Sequence, residues 1–159
     1  MRDADLVHLR RCVDLAREAL EAGDEPFGSV LAGADGTALA EDRNRVNTGS
    51  DATLHPEFAL ARWAAETLPA ADRPGATVYT SGEHCAMCSA AHAWVGLGRI
   101  VYASSSAQLT GWLAEFGAGP GPVAPLRVQD VAPGVVVEGP APGLDEEVRE
   151  LHRRLHGRG

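Results

Sequence analysis

The sequence predicts an α/β layered fold built on a mixed sheet, and three observations carry that expectation. Strand-like and helix-like apolar patterns alternate through most of the chain, only the first two strands are joined by a hairpin turn, and an amphipathic helix stands at each end. A hairpin gives an antiparallel pair and helical crossovers give parallel ones, so one sheet should contain both.

Taken in order, Leu6, Leu9, Val13, Ala16 and Leu20 recur at steps of three or four with charged residues between them, a helix ended by Gly23 and Pro26. Residues 27–32 read as a buried strand, Ala34-Asp35-Gly36 as a turn, and 37–40 as the partner strand. The polar stretch 41–53 reads as a loop. A helical pattern follows over 54–68, with Phe58, Ala61, Trp63 and Ala64 as apolar members. After Pro74-Gly75 come a short strand (76–80), a helix (85–95) and another strand (99–103). Ser105 or Ser106 can cap a helix running through Phe116. Residues 117–125, rich in Gly and Pro, read as a loop, and 126–131 and 135–138 as strand segments around Pro133-Gly134. Leu144, Val148, Leu151 and Leu155 mark a closing helix over about 144–156.

With 159 residues, 45% of them hydrophobic, the chain suits one domain spanning 1–159. No apolar run approaches the ~20 residues that span a bilayer, and Met1-Arg2-Asp3-Ala4-Asp5 lacks a basic region followed by an apolar core, so a cytoplasmic protein without a membrane partner is expected. Of three cysteines, Cys12 lies on the apolar side of the first helix and the other two form a C-x-x-C, which favours reduced thiols over a disulfide framework. Fourteen basic against 22 acidic residues give a net charge of −8, a field that repels phosphates, so a nucleic acid partner is not expected. Arg149, Arg153, Arg154 and Arg158 cluster near the C-terminus but alternate with Glu146, Glu147 and Glu150, as on a solvated helix face.

Two short segments carry the chemistry: His55-Pro56-Glu57, and Glu83-His84-Cys85-Ala86-Met87-Cys88. They supply an imidazole, two thiols and a carboxylate, each where a loop or strand enters a helix N-terminus. Free N–H groups and the helix dipole there favour thiolates. One His and two Cys give zinc three protein ligands and leave the fourth position open, which separates a catalytic from a structural site. Glu57, two residues beyond His55, is placed to move protons rather than to bind metal. A structural zinc knuckle and a redox dithiol are the other readings of C-x-x-C, and neither uses the upstream H-x-E.

These residues resemble the zinc-dependent cytidine deaminase superfamily, whose signature pairs H-x-E with P-C-x-x-C and assigns the Glu as acid/base. Pro26-Phe27-Gly28-Ser29-Val30 is similar to the P-[FV]-G-A-V strand of its guanine and tRNA adenosine deaminases. Asp51-Ala52-Thr53-Leu54-His55 is similar to their D-P-T-A-H, and Tyr79-Thr80-Ser81-Gly82-Glu83 to the Y-T-S-x-E of guanine deaminases. The resemblance implies a three-layer α/β/α cytidine-deaminase-like fold with about five strands, one Zn2+ per chain held by His55, Cys85 and Cys88, and Glu57 as catalytic acid/base. It further implies that Asn44 and the Glu83 backbone orient the base, and that the chain forms a homodimer or larger assembly.

The chain departs from the family pattern twice. Pro56 replaces a small residue and has no N–H to offer a base edge. His84 stands in place of Pro, either as a tolerated residue at the helix start or as a group touching substrate or the metal's neighbours. Phe27 is a core residue or a stacking platform. Trp94 is a core residue or matches an aromatic of guanine deaminases. Trp112 and Phe116 are an apolar stripe or part of a lid over 105–125. The expected function is hydrolytic deamination of a free nucleobase or nucleoside, a guanine-like purine before cytosine or cytidine. The alternatives are tRNA adenosine-to-inosine editing and a non-catalytic, zinc-stabilised binding domain.

Overall fold

In the computed structural model, which describes residues 1–157, the chain runs α1 (Asp3–Glu21), β1 (Gly28–Ala32), β2 (Ala38–Arg43), α2 (Pro56–Thr67), β3 (Thr77–Gly82), α3 (Ala86–Val95), β4 (Ile100–Ser104), α4 (Ser106–Glu115), α5 (Val128–Val131), β5 (Val137–Glu138) and α6 (Leu144–His156), with a 3-10 segment over Ala70–Gly75. The five strands form one sheet in the order β2-β1-β3-β4-β5. β1 is antiparallel to both β2 and β3, while β3, β4 and β5 run parallel. The sheet is therefore mixed, as the single hairpin signal implied.

Alternation along each strand assigns its side chains to two helical layers. Val30, Ala32, Tyr79, Val101 and Ala103 point to one face and pack with Leu9, Val13 and Ala16 of α1 and Val148 and Leu151 of α6. Leu31 and Val78 point to the other, against Leu60, Ala61 and Ala64 of α2, with Ala91 and Val95 of α3 at the margin. Full burial of a leucine such as Leu9, Leu31 or Leu60 stabilises the fold by about 1.5–3 kcal/mol. The interior strand β1 is buried at every position, which is why it reads as an apolar run. Gly28 opens that strand because a Cβ there would lie 2.4 Å from Leu15 Cβ and 2.5 Å from the Cys12 carbonyl oxygen. Its absence lets β1 press directly on α1.

Two elements differ from the sequence expectation. β2 continues through Glu41, Asp42 and Arg43, which pair with Val30, Ser29 and Gly28, where a polar loop was expected. An edge strand tolerates charged side chains because one side faces water, so polarity alone misled. The segment expected as a strand over 126–131 instead contains the short helix α5. The Val128 N–H is taken by the Glu83 carboxylate, and the Asp130 carboxylate accepts from the Arg127 N–H and guanidinium. That closes a turn and withholds the backbone from the ladder. Ser105 is the N-cap of α4, its hydroxyl accepting from Gln108 N–H while the Gln108 side chain accepts from Ser105 N–H. Arg158, one of the C-terminal basic residues, lies outside the described residues. Among the described residues, no helix is long and apolar enough to cross a membrane.

Candidate active site

Helices α2 and α3 lie on the same face of the sheet, and their N-termini bring the two motifs together. His55 is the N-cap of α2, with Pro56 at the first helical position and Glu57 next. Proline suits that position because its missing N–H would have had no helical partner. Cys85 is the N-cap of α3, and Cys88 is the third helical residue. An N-cap side chain folds back toward that residue, so C-x-x-C at a helix start aims both sulfurs at one point. His84 therefore precedes the cap rather than occupying the first helical position.

His55 Nδ1 lies 3.5 Å from the sulfurs of both Cys85 and Cys88, and the three donor atoms fall within 4.8 Å of one another. Tetrahedral zinc bonded to sulfur at about 2.3 Å and to imidazole nitrogen at about 2.0 Å sets those atoms about 3.5 Å apart, so the donor set fits the metal in type and spacing. Hydrogen bonds from Cys88 and His55 pull the Cys85 thiol down to about 4 against the effect of its burial. Glu57 moves the other way: burial raises its carboxyl, and His55 nearby, with the hydroxyls of Thr80 and Ser29, offsets this only in part.

A cavity of about 450 Å³ opens on these groups and is lined by Phe27, Asn44, His55, Pro56, Glu57, Glu83 and Cys85. Its opposite wall is Leu109 and Leu113 of α4 and the Gly/Pro-rich loop 118–126. Asn44, directly after β2, is held in the cavity wall by its own turn, Oδ1 accepting from Val46 N–H at 2.9 Å. Asp24, fully buried, fixes that loop by accepting from the N–H groups of Asn47 and Thr48, the Thr48 hydroxyl and Arg43.

Four residues expected near substrate are not brought to the cavity. His84 turns inward, buried edge-on against His92 at 5.5 Å, and burial holds it well below the usual imidazole range. Trp94 is 89% exposed on the far side of α3, beside a separate cleft formed with 131–135. Trp112 and Phe116 share the apolar stripe of α4 with Leu109 and Leu113 but are not among the cavity-lining residues: Trp112 packs toward His152 of α6, and the Arg149 guanidinium sits over the Phe116 ring. They tie α4 to α6, and smaller residues form the cavity wall.

Three side chains lie within the quoted motifs, which did not reveal their contributions. The Glu83 carboxylate accepts from Ser106 N–H and Val128 N–H, both at 2.9 Å, so one side chain anchors both ends of the segment over the cavity. The hydroxyls of Ser29 and Thr80 lie 3.1 and 3.0 Å from Glu57 Oε1. Alternation along the two strands would have placed both on the α2 face, had Glu57's position above them been known.

Residues 2–104 match the model of the cytidine and deoxycytidylate deaminase zinc-binding region. A probable cytosine deaminase of Schizosaccharomyces pombe is 32% identical over 109 residues, covering 69% of this chain and 65% of that protein. A tRNA-specific adenosine deaminase of Agrobacterium fabrum is 39% identical over 87 residues, 55% of this chain and 57% of that protein. Guanine deaminase of Bacillus subtilis is 39% identical over 97 residues, 60% of this chain and 62% of that protein. An X-ray structure of guanine deaminase from that organism superposes with a TM-score of 0.59 at 25% identity, covering all of this chain and 98% of the other. The matched stretch spans about three fifths of the length of these curated relatives.

Proposed function

The chain belongs to the cytidine and deoxycytidylate deaminase family that carries this zinc-binding region, and on that footing we propose that it removes the exocyclic amine of a free nucleobase or nucleoside. A guanine-like purine is the favoured substrate and cytosine or cytidine the next. The observation that carries the reading is the clustering of three zinc donors, two of which, His55 and Cys85, line a single cavity together with the buried carboxylate of Glu57.

His55, Cys85 and Cys88 hold the metal, which when bound supplies the Lewis acidity that makes a water nucleophilic near neutral pH. Glu57 accepts one proton from the attacking water and passes it to the ring nitrogen, then delivers the second to the amine. A C–O bond forms, the C–N bond breaks, and water plus the amine become a carbonyl and ammonia. Asn44 and the Glu83 backbone orient the base, Phe27 offers an aromatic face, and Pro56 lies against the ring without donating a hydrogen bond. Segment 105–125, pinned by Glu83, acts as the lid.

The guanine preference rests on Phe27 in the cavity wall and on the resemblance of 79–83 to guanine deaminases. Among the described residues, no Lys or Arg that would take a phosphate lines the cavity, which favours a base or nucleoside over a nucleotide or tRNA. A cytoplasmic, single-domain homodimer completes the reading, supported by the reduced thiols and the family resemblance.

The test is ammonia release from guanine, cytosine, adenine, their nucleosides and related aminated heterocycles, with zinc measured at one per chain. Glu57→Gln is expected to lower kcat about 10²–10⁴-fold with zinc still bound. Full activity in that variant, or silence across the panel in the zinc-loaded wild type, would overturn the reading.

A further inference from the structure

Ser29 and Thr80 are direct partners across the antiparallel strands β1 and β3. Both are fully buried, and strand alternation puts them on the face that carries Leu31 and Val78, the face covered by α2. Glu57, in the first turn of α2, stands over the pair. Ser29 Oγ lies 3.1 Å and Thr80 Oγ1 3.0 Å from Glu57 Oε1. The two hydroxyls are 2.9 Å from each other, and Thr80 Oγ1 is 2.9 Å from the Gly82 carbonyl oxygen. Among the described residues, no N–H or O–H donor engages Glu57 Oε2, and Glu57 lines the cavity.

We propose that Ser29 and Thr80 are positioning residues, a two-hydroxyl clamp that fixes Oε1 of Glu57 so that Oε2 alone meets the attacking water and the substrate ring. The proposal rests on the deaminase reading and adds to it two residues that touch neither metal nor base. Ser29 also occupies the position of Ala in the P-[FV]-G-A-V strand that this segment resembles, so half of the clamp departs from that motif.

The clamp has two hydroxyl protons and four short contacts to share them among, so its hydroxyls can turn without any heavy atom moving. When Glu57 is a carboxylate, both hydroxyls donate to Oε1. Once Oε2 has taken a proton from water, Oε1 is a poorer acceptor; the Thr80 hydroxyl then donates to Gly82 O and the Ser29 hydroxyl to Thr80 Oγ1. Release of that proton from Oε2 to the ring nitrogen restores the first arrangement. The same cycle carries the second water proton to the departing amine, so the clamp returns to its starting state after each turnover. No proton leaves Ser29 or Thr80.

The experiment compares zinc-loaded wild type, Ser29→Ala, Thr80→Val and Thr80→Ser by two readouts. The first needs no turnover: the infrared carboxylate band of Glu57, isolated as a difference against Glu57→Gln, is expected to shift in Ser29→Ala and Thr80→Val and to stay in place in Thr80→Ser. The second is steady-state ammonia release, where kcat is expected to fall about 10–100-fold in Ser29→Ala and Thr80→Val with KM nearly unchanged, and to recover in Thr80→Ser. An unmoved band, an unchanged kcat, or a loss confined to KM overturns the clamp. If Thr80→Val does not fold, Ser29→Ala and Thr80→Ser decide the matter. A wild type silent on every substrate defeats the deaminase reading, while the infrared comparison still tests the clamp.

Discussion

Asp5 and Glu57 are both buried acids, and their neighbours give them opposite properties. Burial would raise either carboxyl. For Asp5 it is overcome by Arg99, which donates at 2.6 and 3.2 Å, together with the Arg2 N–H at 2.8 Å and the Tyr79 hydroxyl at 2.7 Å, and the group is held well below the usual carboxylate range. Glu57 has two hydroxyls and no Lys or Arg among its hydrogen-bond partners, so burial prevails and leaves a carboxylate ready to accept a proton. Asp5→Asn should therefore cost about 2–3 kcal/mol at neutral pH, because it takes from the partly buried Arg99 guanidinium the nearer of its two carboxylate partners. A depressed folded-state pKa stabilises above the unfolded value, so this advantage of the wild type is complete above pH about 4 and fades as pH falls below it. Urea titrations of both proteins across that range measure the narrowing gap. At this scale the sequence was legible where spacing encodes chemistry, in His55, Glu57, Cys85 and Cys88. It was silent on Asp5, which reads as an ordinary dipole-favoured acid in the first turn of α1, and on His84, Trp94, Trp112 and Phe116, whose directions depend on which helix face meets which layer.

Elements set those directions. α4 presents Leu109 and Leu113 to the cavity and Trp112 to α6, a division its apolar pattern could not disclose because all three residues fall on one helical stripe. The helices with clear 3.6-residue periodicity appear where expected, whereas β2 and α5 were misjudged for physical reasons. A solvated edge masks a strand, and a side chain reaching 45 residues along the chain from Glu83 captures the backbone of Val128. Close approach of two elements is equally hidden in the sequence, and Gly28 shows its consequence. Gly28→Ala would force β1 away from Leu15 and the Cys12 carbonyl of α1. Overpacking of this kind costs about 1–3 kcal/mol. Because Phe27 and Ser29 flank the site of strain, lost activity should accompany the lower denaturation midpoint; a variant as stable and active as wild type would show that the sheet can shift to make room.

For the whole molecule the deciding quantity is charge. The net −8 was readable from composition, but its distribution was not: eleven described arginines pair with carboxylates, from Arg2 at the N-cap of α1 to Arg149 and Arg153 on α6. Arg73 is turned to backbone carbonyls instead. Cations already committed to acids present little positive field to a polyanion, and binding tRNA would require breaking those pairs as well as overcoming the net repulsion. A neutral base meets neither barrier. Ammonia release from the preferred small substrate should thus keep nearly the same kcat/KM between about 50 and about 200 mM salt, the range over which a phosphate-binding protein loses about 10³–10⁵ in affinity. Unmodified tRNA added at micromolar concentration should not compete with the small substrate. Strong competition that weakens steeply with salt would reverse the preference for a free base and make tRNA editing the better account of this cavity.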